Sequence, residues 1–240
     1  MLIKIPLQPT KYTKPLAYDT GDNEIVYWTD KDGVESYDAV GEFEPQYFGD
    51  AVVYVVGRRG SGKSTYCSAY LNSYYLQTMN KVFYVSRFQT DPSVELPERG
   101  LNIGIDDLPE LTIEDLSNSL IVFDDIHSAS LSKKEADYLH KFIIDTIENS
   151  RHFGISCLVT SHLATNYSKT RPILNEASSV VVYPEFSNAY QIIRMLSTYF
   201  DFSKPQIDHL FELGKKSRWV QVQTTNPKFI LTSERIEIYK

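Results

Sequence analysis

The sequence predicts an α/β fold with a mostly parallel central sheet flanked by helices, preceded by a small β-rich segment. Three observations lead there. Short apolar runs alternate with helical patterns of about 10–15 residues, the signature of βαβ units. The first of those runs ends in a glycine-rich stretch that opens a helix, and a later run ends in two adjacent aspartates.

Residues 1–49 lack helical periodicity and are rich in Pro, Tyr and Asp. Glu24–Trp28, followed by Thr29-Asp30-Lys31-Asp32-Gly33, predicts a strand entering a tight turn, as in a hairpin. Pro45 and its acidic neighbours mark a boundary between this segment and a main domain over residues 50–240. Val52-Val53-Tyr54-Val55-Val56 is a strand covered on both faces. A helix follows with Cys67, Tyr70, Leu71, Tyr74 and Tyr75 at i, i+3, i+4, i+7 and i+8, which makes one buried stripe. Residues 81–86 and 120–123 read as further strands. Ser132-x-x-Glu135 is a capping box that opens a helix with Ala136, Leu139, Ile143 and Ile147 inward. Strands follow at residues 155–160 and 179–183, then a helix at about 189–200. A second capping box, Ser203-x-x-Gln206, opens a helix that stops at Gly214. Arg218-Trp219-Val220-Gln221-Val222-Gln223 alternates as a half-buried strand would, and Phe229-Ile230-Leu231 is the last strand candidate. Residues 200–240 thus supply a C-terminal helix and strands to the same domain.

With 240 residues, 42% of them hydrophobic and 23% charged, the chain has ample material for a core. Its apolar runs are too short to cross a bilayer, and the N-terminus lacks a secretory leader's apolar stretch. Two cysteines, Cys67 and Cys157, make no disulfide framework, which points to a reduced intracellular setting. The net charge of −7 argues against gripping nucleic acid by bulk charge. Residues 202–240 depart from that average, with seven Lys or Arg against four Asp or Glu.

Gly57-Arg58-Arg59-Gly60-Ser61-Gly62-Lys63-Ser64 matches G-x-x-x-x-G-K-[ST]. Gly57, Gly60 and Gly62 permit backbone angles that turn N–H groups inward as an anion nest, to which Ser61 and Thr65 contribute. Lys63 supplies a point charge for the β- and γ-phosphates, and the Ser64 hydroxyl can ligand Mg²⁺. The motif follows a buried strand and opens a helix, which is the context its mechanism needs, so it reads as a nucleotide site.

Leu120-Ile121-Val122-Phe123 ends in Asp124-Asp125, and ligands gather at the carboxyl ends of parallel strands. Asp124 is therefore placed to hold the metal with Ser64, and Asp125 to orient or deprotonate the attacking water. His162, with Ser161 and Thr160 behind it, stands at the next strand's end, where a polar group can contact the γ-phosphate. His127, His140, His152, His162 and His209 show no spacing that suits a metal site. Arg151 precedes that strand and is a candidate arginine finger toward a neighbouring subunit, a contribution of about 10³–10⁵ in rate where one operates. Arg171 and Arg194 compete for that role.

The phosphate loop, the strand ending in paired acids, Arg151-His152-Phe153-Gly154-Ile155-Ser156 and Leu158-Val159-Thr160-Ser161-His162 together resemble the FtsK/HerA superfamily of additional-strand P-loop ATPases. Arg171-Pro172-Ile173-Leu174-Asn175 adds to the likeness, which covers about residues 50–200. Within the superfamily the sequence looks most like the DNA-packaging ATPases of double-jelly-roll DNA viruses, including large nucleocytoplasmic viruses and virophages. The resemblance implies a RecA-like fold, ATP and Mg²⁺ as ligands, and a homo-oligomeric ring, pentamer or hexamer. It also implies translocation of double-stranded DNA into a viral capsid, with capsid or portal-vertex components as partners. The location implied is the virion or the viral factory in the host cytoplasm. His162 stands where many members carry a polar sensor, often glutamine, and Asp125 where glutamate is commoner. Lys133 and Lys134, or Lys169 and Arg171, are candidate DNA contacts.

Other classes fit less well. A small-molecule kinase gains little from a second acid, a GTPase carries an N-K-x-D motif, and an ABC ATPase carries L-S-G-G-Q. A helicase, helicase loader or conjugative pump is the strongest rival, and a non-enzymatic assembly protein on the same fold is a weaker one.

Overall fold

The computed structural model describes residues 2–5, 14–29, 34–47, 49, 52–87, 92–125, 131–166 and 168–239. Strands β1 (Leu2–Ile5), β2 (Lys14–Asp19), β3 (Glu24–Trp28) and β4 (Ser36–Asp38) come first. They lead to β5 (Val52–Val56), α1 (Lys63–Thr78), β6 (Lys81–Ser86), β7 (Gly100–Gly104) and β8 (Ser119–Phe123). Then come α2 (Lys133–Phe153), β9 (Ser156–Ser161), α3 (Arg171–Glu176), β10 (Ser179–Val182), α4 (Ala189–Tyr199) and α5 (Lys204–Gly214). The chain closes with β11 (Val220–Gln223), β12 (Phe229–Thr232) and β13 (Arg235–Ile238).

Ten strands form one sheet in the order β4-β13-β12-β11-β10-β5-β9-β8-β6-β7. The run from β10 to β7 is parallel throughout, and the run from β10 to β4 is antiparallel. β9 therefore lies between the strand before the phosphate loop and the strand before the paired acids. Side chains alternate across the pleat. Val53 and Val55 pack with Tyr70, Leu71 and Tyr74 of α1, while Val52, Tyr54 and Val56 pack in a second cluster with residues of α2 to α5. Cys67 and Cys157 fall in these two different clusters, both buried. Among the described residues no helix is long and apolar enough to cross a membrane.

Both capping boxes form as predicted, at Ser132 with Glu135 and at Ser203 with Gln206. β1, β3 and β2 make a separate antiparallel sheet in which residues 20–23 join β2 to β3, an unpredicted hairpin, while the turn expected at 29–33 falls, but for Thr29, outside the described residues. This small sheet packs Leu2, Leu16, Ala17 and Val26 against Phe229, Leu231 and Ile236 of the large one. β11 also differs, being buried along its whole length rather than on one face. Gln221 is buried because it accepts a hydrogen bond from the Tyr66 hydroxyl of α1 at 2.8 Å, which satisfies the polar group that alternation assigns to water. β1, β2, β4, β7 and β13 answer to no individually predicted strand.

Candidate nucleotide site

The register of the parallel strands brings the motif residues to one rim. Val56 pairs with Ser161, and Phe123 with Val159, so the chain leaves β5, β8 and β9 side by side. Gly57 N–H donates to Ser161 O at 3.1 Å and sets the start of the phosphate loop. A Cβ at Gly57 would stand 2.5 Å from Ser61 Oγ and 2.8 Å from a ring carbon of Tyr183, so only glycine fits there. Gly60 and Gly62 take φ of 77° and 109°, the left-handed side that other residues avoid. Gly62 caps α1 without any side-chain cap, and no acid occupies the first turn. The amides around Ser64 and Thr65 and the positive end of the helix dipole thus suit an anion.

Lys63 is buried, and its ammonium donates to Gly57 O at 2.9 Å and Arg58 O at 3.3 Å. Burial lowers its pKa, and the charges of Asp125 and Asp124 oppose that shift. His162 joins the two halves of the site. Its Nε2 lies 3.1 Å from Asp125 Oδ1, and its Nδ1 lies 3.0 Å from Gly57 O and 3.3 Å from Lys63 Nζ. A doubly protonated ring donates to both Asp125 and Gly57. A neutral ring with its proton on Nε2 still donates to Asp125 and accepts from Lys63. The bond to Asp125 raises the His162 pKa above its ordinary value, against the opposing effects of burial and the Lys63 charge.

The two aspartates differ in setting. Asp124 Oδ1 accepts from the Thr160 hydroxyl at 2.6 Å, and Oδ2 accepts from the Tyr84 hydroxyl at 2.7 Å. Each oxygen keeps a lone pair for a cation, and donors on both sides fix the carboxylate. Asp125 has φ 51°, and its N–H donates to Thr160 Oγ1 at 2.8 Å. The Asp124 carboxylate and the Ser64 hydroxyl are hard oxygen donors of the kind that would hold Mg²⁺. Among the described residues no three His, Cys, Asp or Glu cluster as a protein-only metal site, and His127 lies outside them.

Arg151 is not part of this constellation. It is exposed in the last turn of α2, just before β9 begins, at the opposite rim of the sheet. Lys133 and Lys134 open α2, and Lys169 and Arg171 lie where α3 begins, all four exposed on the rim that carries the phosphate loop. Arg194 is exposed on α4.

Sequence reasoning missed Tyr84 and Arg218. Tyr84 sits inside an apolar run and shows no sign that its hydroxyl reaches the neighbouring strand end. Arg218 precedes an antiparallel strand, and such a strand starts at the rim where its parallel neighbours finish. That rule locates Arg218 beside the loop once the strand order is known.

No family model matches the sequence. The "Uncharacterized protein V3" of Sputnik virophage is 38% identical over 184 residues, covering 75% of this chain and 73% of that one. The genome packaging NTPase B204 of Sulfolobus turreted icosahedral virus 2, solved in complex with ATP-gammaS, superposes with a TM-score of 0.51 at 14% identity. That match covers 78% of this chain and 98% of B204. The pCW3 conjugation coupling protein TcpA superposes with a TM-score of 0.54 at 12% identity, covering 92% of this chain and 76% of TcpA. The cytoplasmic domain of the Thermomonospora curvata type VII secretion ATPase EccC gives 0.54 at 14%, over 95% of this chain and 29% of its own. The chain therefore belongs with the Sputnik virophage protein V3 in one family, and its fold is that of B204, TcpA and EccC.

Proposed function

We propose that the protein is an ATP-hydrolysing motor that moves double-stranded DNA into a viral capsid. The observation that carries this reading is the meeting of Lys63, His162 and Asp125 within hydrogen-bond reach at one strand rim, beside Asp124. Residues 50–240 are the ATPase domain, with residues 1–49 as a β-rich addition.

Gly57, Gly60, Ser61, Gly62, Lys63, Ser64 and Thr65 cradle the phosphates. Ser64 and Asp124 hold Mg²⁺, which when bound neutralises charge on the phosphates. Asp125 orients the attacking water. His162, bonded to Asp125 on one side and facing Lys63 on the other, senses the terminal phosphate through both. Arg151, on the far rim of its own sheet, can serve only a neighbouring subunit's site, which agrees with a homo-oligomeric ring of five or six copies. In such a ring Lys133, Lys134, Lys169 and Arg171 repeat around an axis and track a phosphate backbone although each subunit is acidic. The B204 likeness supports packaging, with capsid or portal components as partners and the virion or the host's reducing cytoplasm as the place.

The test is ATPase activity with and without long duplex DNA, together with the mass of the oligomer. Stimulation by DNA, and its loss in Lys63→Ala and Asp125→Asn, supports the motor. Turnover indifferent to DNA sinks it. The TcpA likeness, which spans more of this chain than B204 does, favours a second reading as a conjugation-type DNA pump. Packaging of DNA into purified capsids separates the two.

A further inference from the structure

The guanidinium of Arg218 grips the phosphate loop from outside. Nε donates to Ser61 O at 2.7 Å and Nη2 to Gly60 O at 2.8 Å, while the group lies 5.0 Å from the centre of the Phe186 ring. A trans peptide unit is rigid, with its C=O and N–H pointing opposite ways. Holding those two carbonyls therefore fixes the planes of the peptides joining Gly60 to Ser61 and Ser61 to Gly62. The N–H of Ser61 is turned onto Arg58 O at 3.1 Å, and that of Gly62 is turned away from Arg218. Tyr183 supports the same loop from below: its ring lies where a Cβ at Gly57 or Gly62 would meet it.

We propose that Arg218 is a positioning residue for the phosphate loop, its flat two-toothed donor keeping the Gly60–Gly62 backbone in the shape that receives a triphosphate. The C-terminal strands, through the start of β11, thereby set nucleotide affinity. The proposal rests on the loop being the nucleotide cradle. A loop freed of these bonds spends less time in the receptive shape, and apparent affinity falls by that fraction. Lysine cannot substitute, because a single ammonium does not span two carbonyls held by a planar fork.

Steady-state ATPase kinetics and calorimetric binding of ATP-gammaS test it on the full chain. In Arg218→Ala the KM for ATP rises about tenfold or more while kcat falls by a smaller factor, and the melting temperature stays near the parent's. Arg218→Lys behaves like the alanine variant. Phe186→Ala, which keeps the fork but removes its stacking surface, shows a smaller rise in KM. Free guanidinium at low millimolar concentration restores affinity to Arg218→Ala, whereas methylammonium does not. Lys215→Ala removes the same charge three residues upstream and leaves KM unchanged. A KM for Arg218→Ala within about twofold of the parent's overturns the proposal alone, as does full rescue by lysine. A parent that binds no ATP-gammaS overturns the nucleotide reading and this proposal with it.

Discussion

The Thr160 hydroxyl, on β9, donates to Asp124 Oδ1 at 2.6 Å at the end of the adjacent strand. Thr160 Oγ1 in turn accepts the Asp125 N–H at 2.8 Å, so one buried side chain orients both acids. Thr160→Val keeps the shape and removes both bonds, leaving the Asp125 amide without its acceptor. The expected cost is about 1–3 kcal/mol of stability, together with a fall in kcat of about 10–100-fold. Denaturant melts and steady-state turnover check the two parts separately. Tyr84→Phe removes a single donor from Asp124 and should show a smaller loss on both scales.

Asp125 adopts φ 51°, a conformation that Asp and Asn tolerate better than longer side chains. This gives a physical reason for aspartate rather than glutamate at this position. Asp125→Glu is therefore expected to lower stability by about 1 kcal/mol and to slow turnover, despite keeping a carboxylate. Asp125→Asn keeps the backbone, so it should melt within about 0.5 kcal/mol of the parent while turnover drops about 100-fold or more. A faster glutamate variant would contradict the backbone argument.

His162 titrates above its ordinary value chiefly because of its bond to Asp125, with burial and Lys63 pulling the other way. A raised folded-state pKa stabilises the protein fully below the unfolded value of about 6.5. That contribution disappears as pH rises through the higher folded value. Imidazole titration by NMR should place His162 above 6.5 in the parent and lower in Asp125→Asn, where the carboxylate's contribution is lost and only the bond to Gly57 O still raises it. An identical titration in the two proteins would remove Asp125 as the cause.

Asp19 is a second titration point, far from the nucleotide loop. Burial raises its pKa, but the N–H groups of Val40, Gly41 and Gly21 and the Lys4 ammonium outweigh that and hold it at about 2. Its stabilisation is present above the unfolded value of 3.8 and fades as pH falls toward 2. The shift corresponds to about 2 kcal/mol at neutral pH. Asp19→Asn should lose stability of that order at pH 7 and much less near pH 2, as followed by chemical denaturation.

The parallel half of the fold was legible because its strands are covered on both faces and read as unbroken apolar runs, β5 and β8 above all. The helices carried buried stripes and capping boxes that survive in the structure. Edge strands left weaker traces. β7 pairs on one side only, with glycine at both ends and exposed Leu101 and Asn102 inside, so no periodicity marks it. β13 alternates too briefly to stand out beside β12. At the site, the glycines, Lys63, Asp124, Asp125 and His162 could be named because strand ends and motif spacing locate them. Tyr84 and Arg218 act across strands distant in sequence, and only the sheet order brings them to the loop.

The outermost antiparallel pairing joins β4 to β13, matching Asp38 with Arg235 and Ser36 with Glu237. Asp38 and Arg235 stand 197 positions apart in the sequence, and closing so long a stretch is slow. During translation β4 emerges long before β13, and that border of the sheet cannot form until β13 has left the ribosome. An arrested nascent chain ending before residue 235 would leave β4 without its neighbour and open to chaperones.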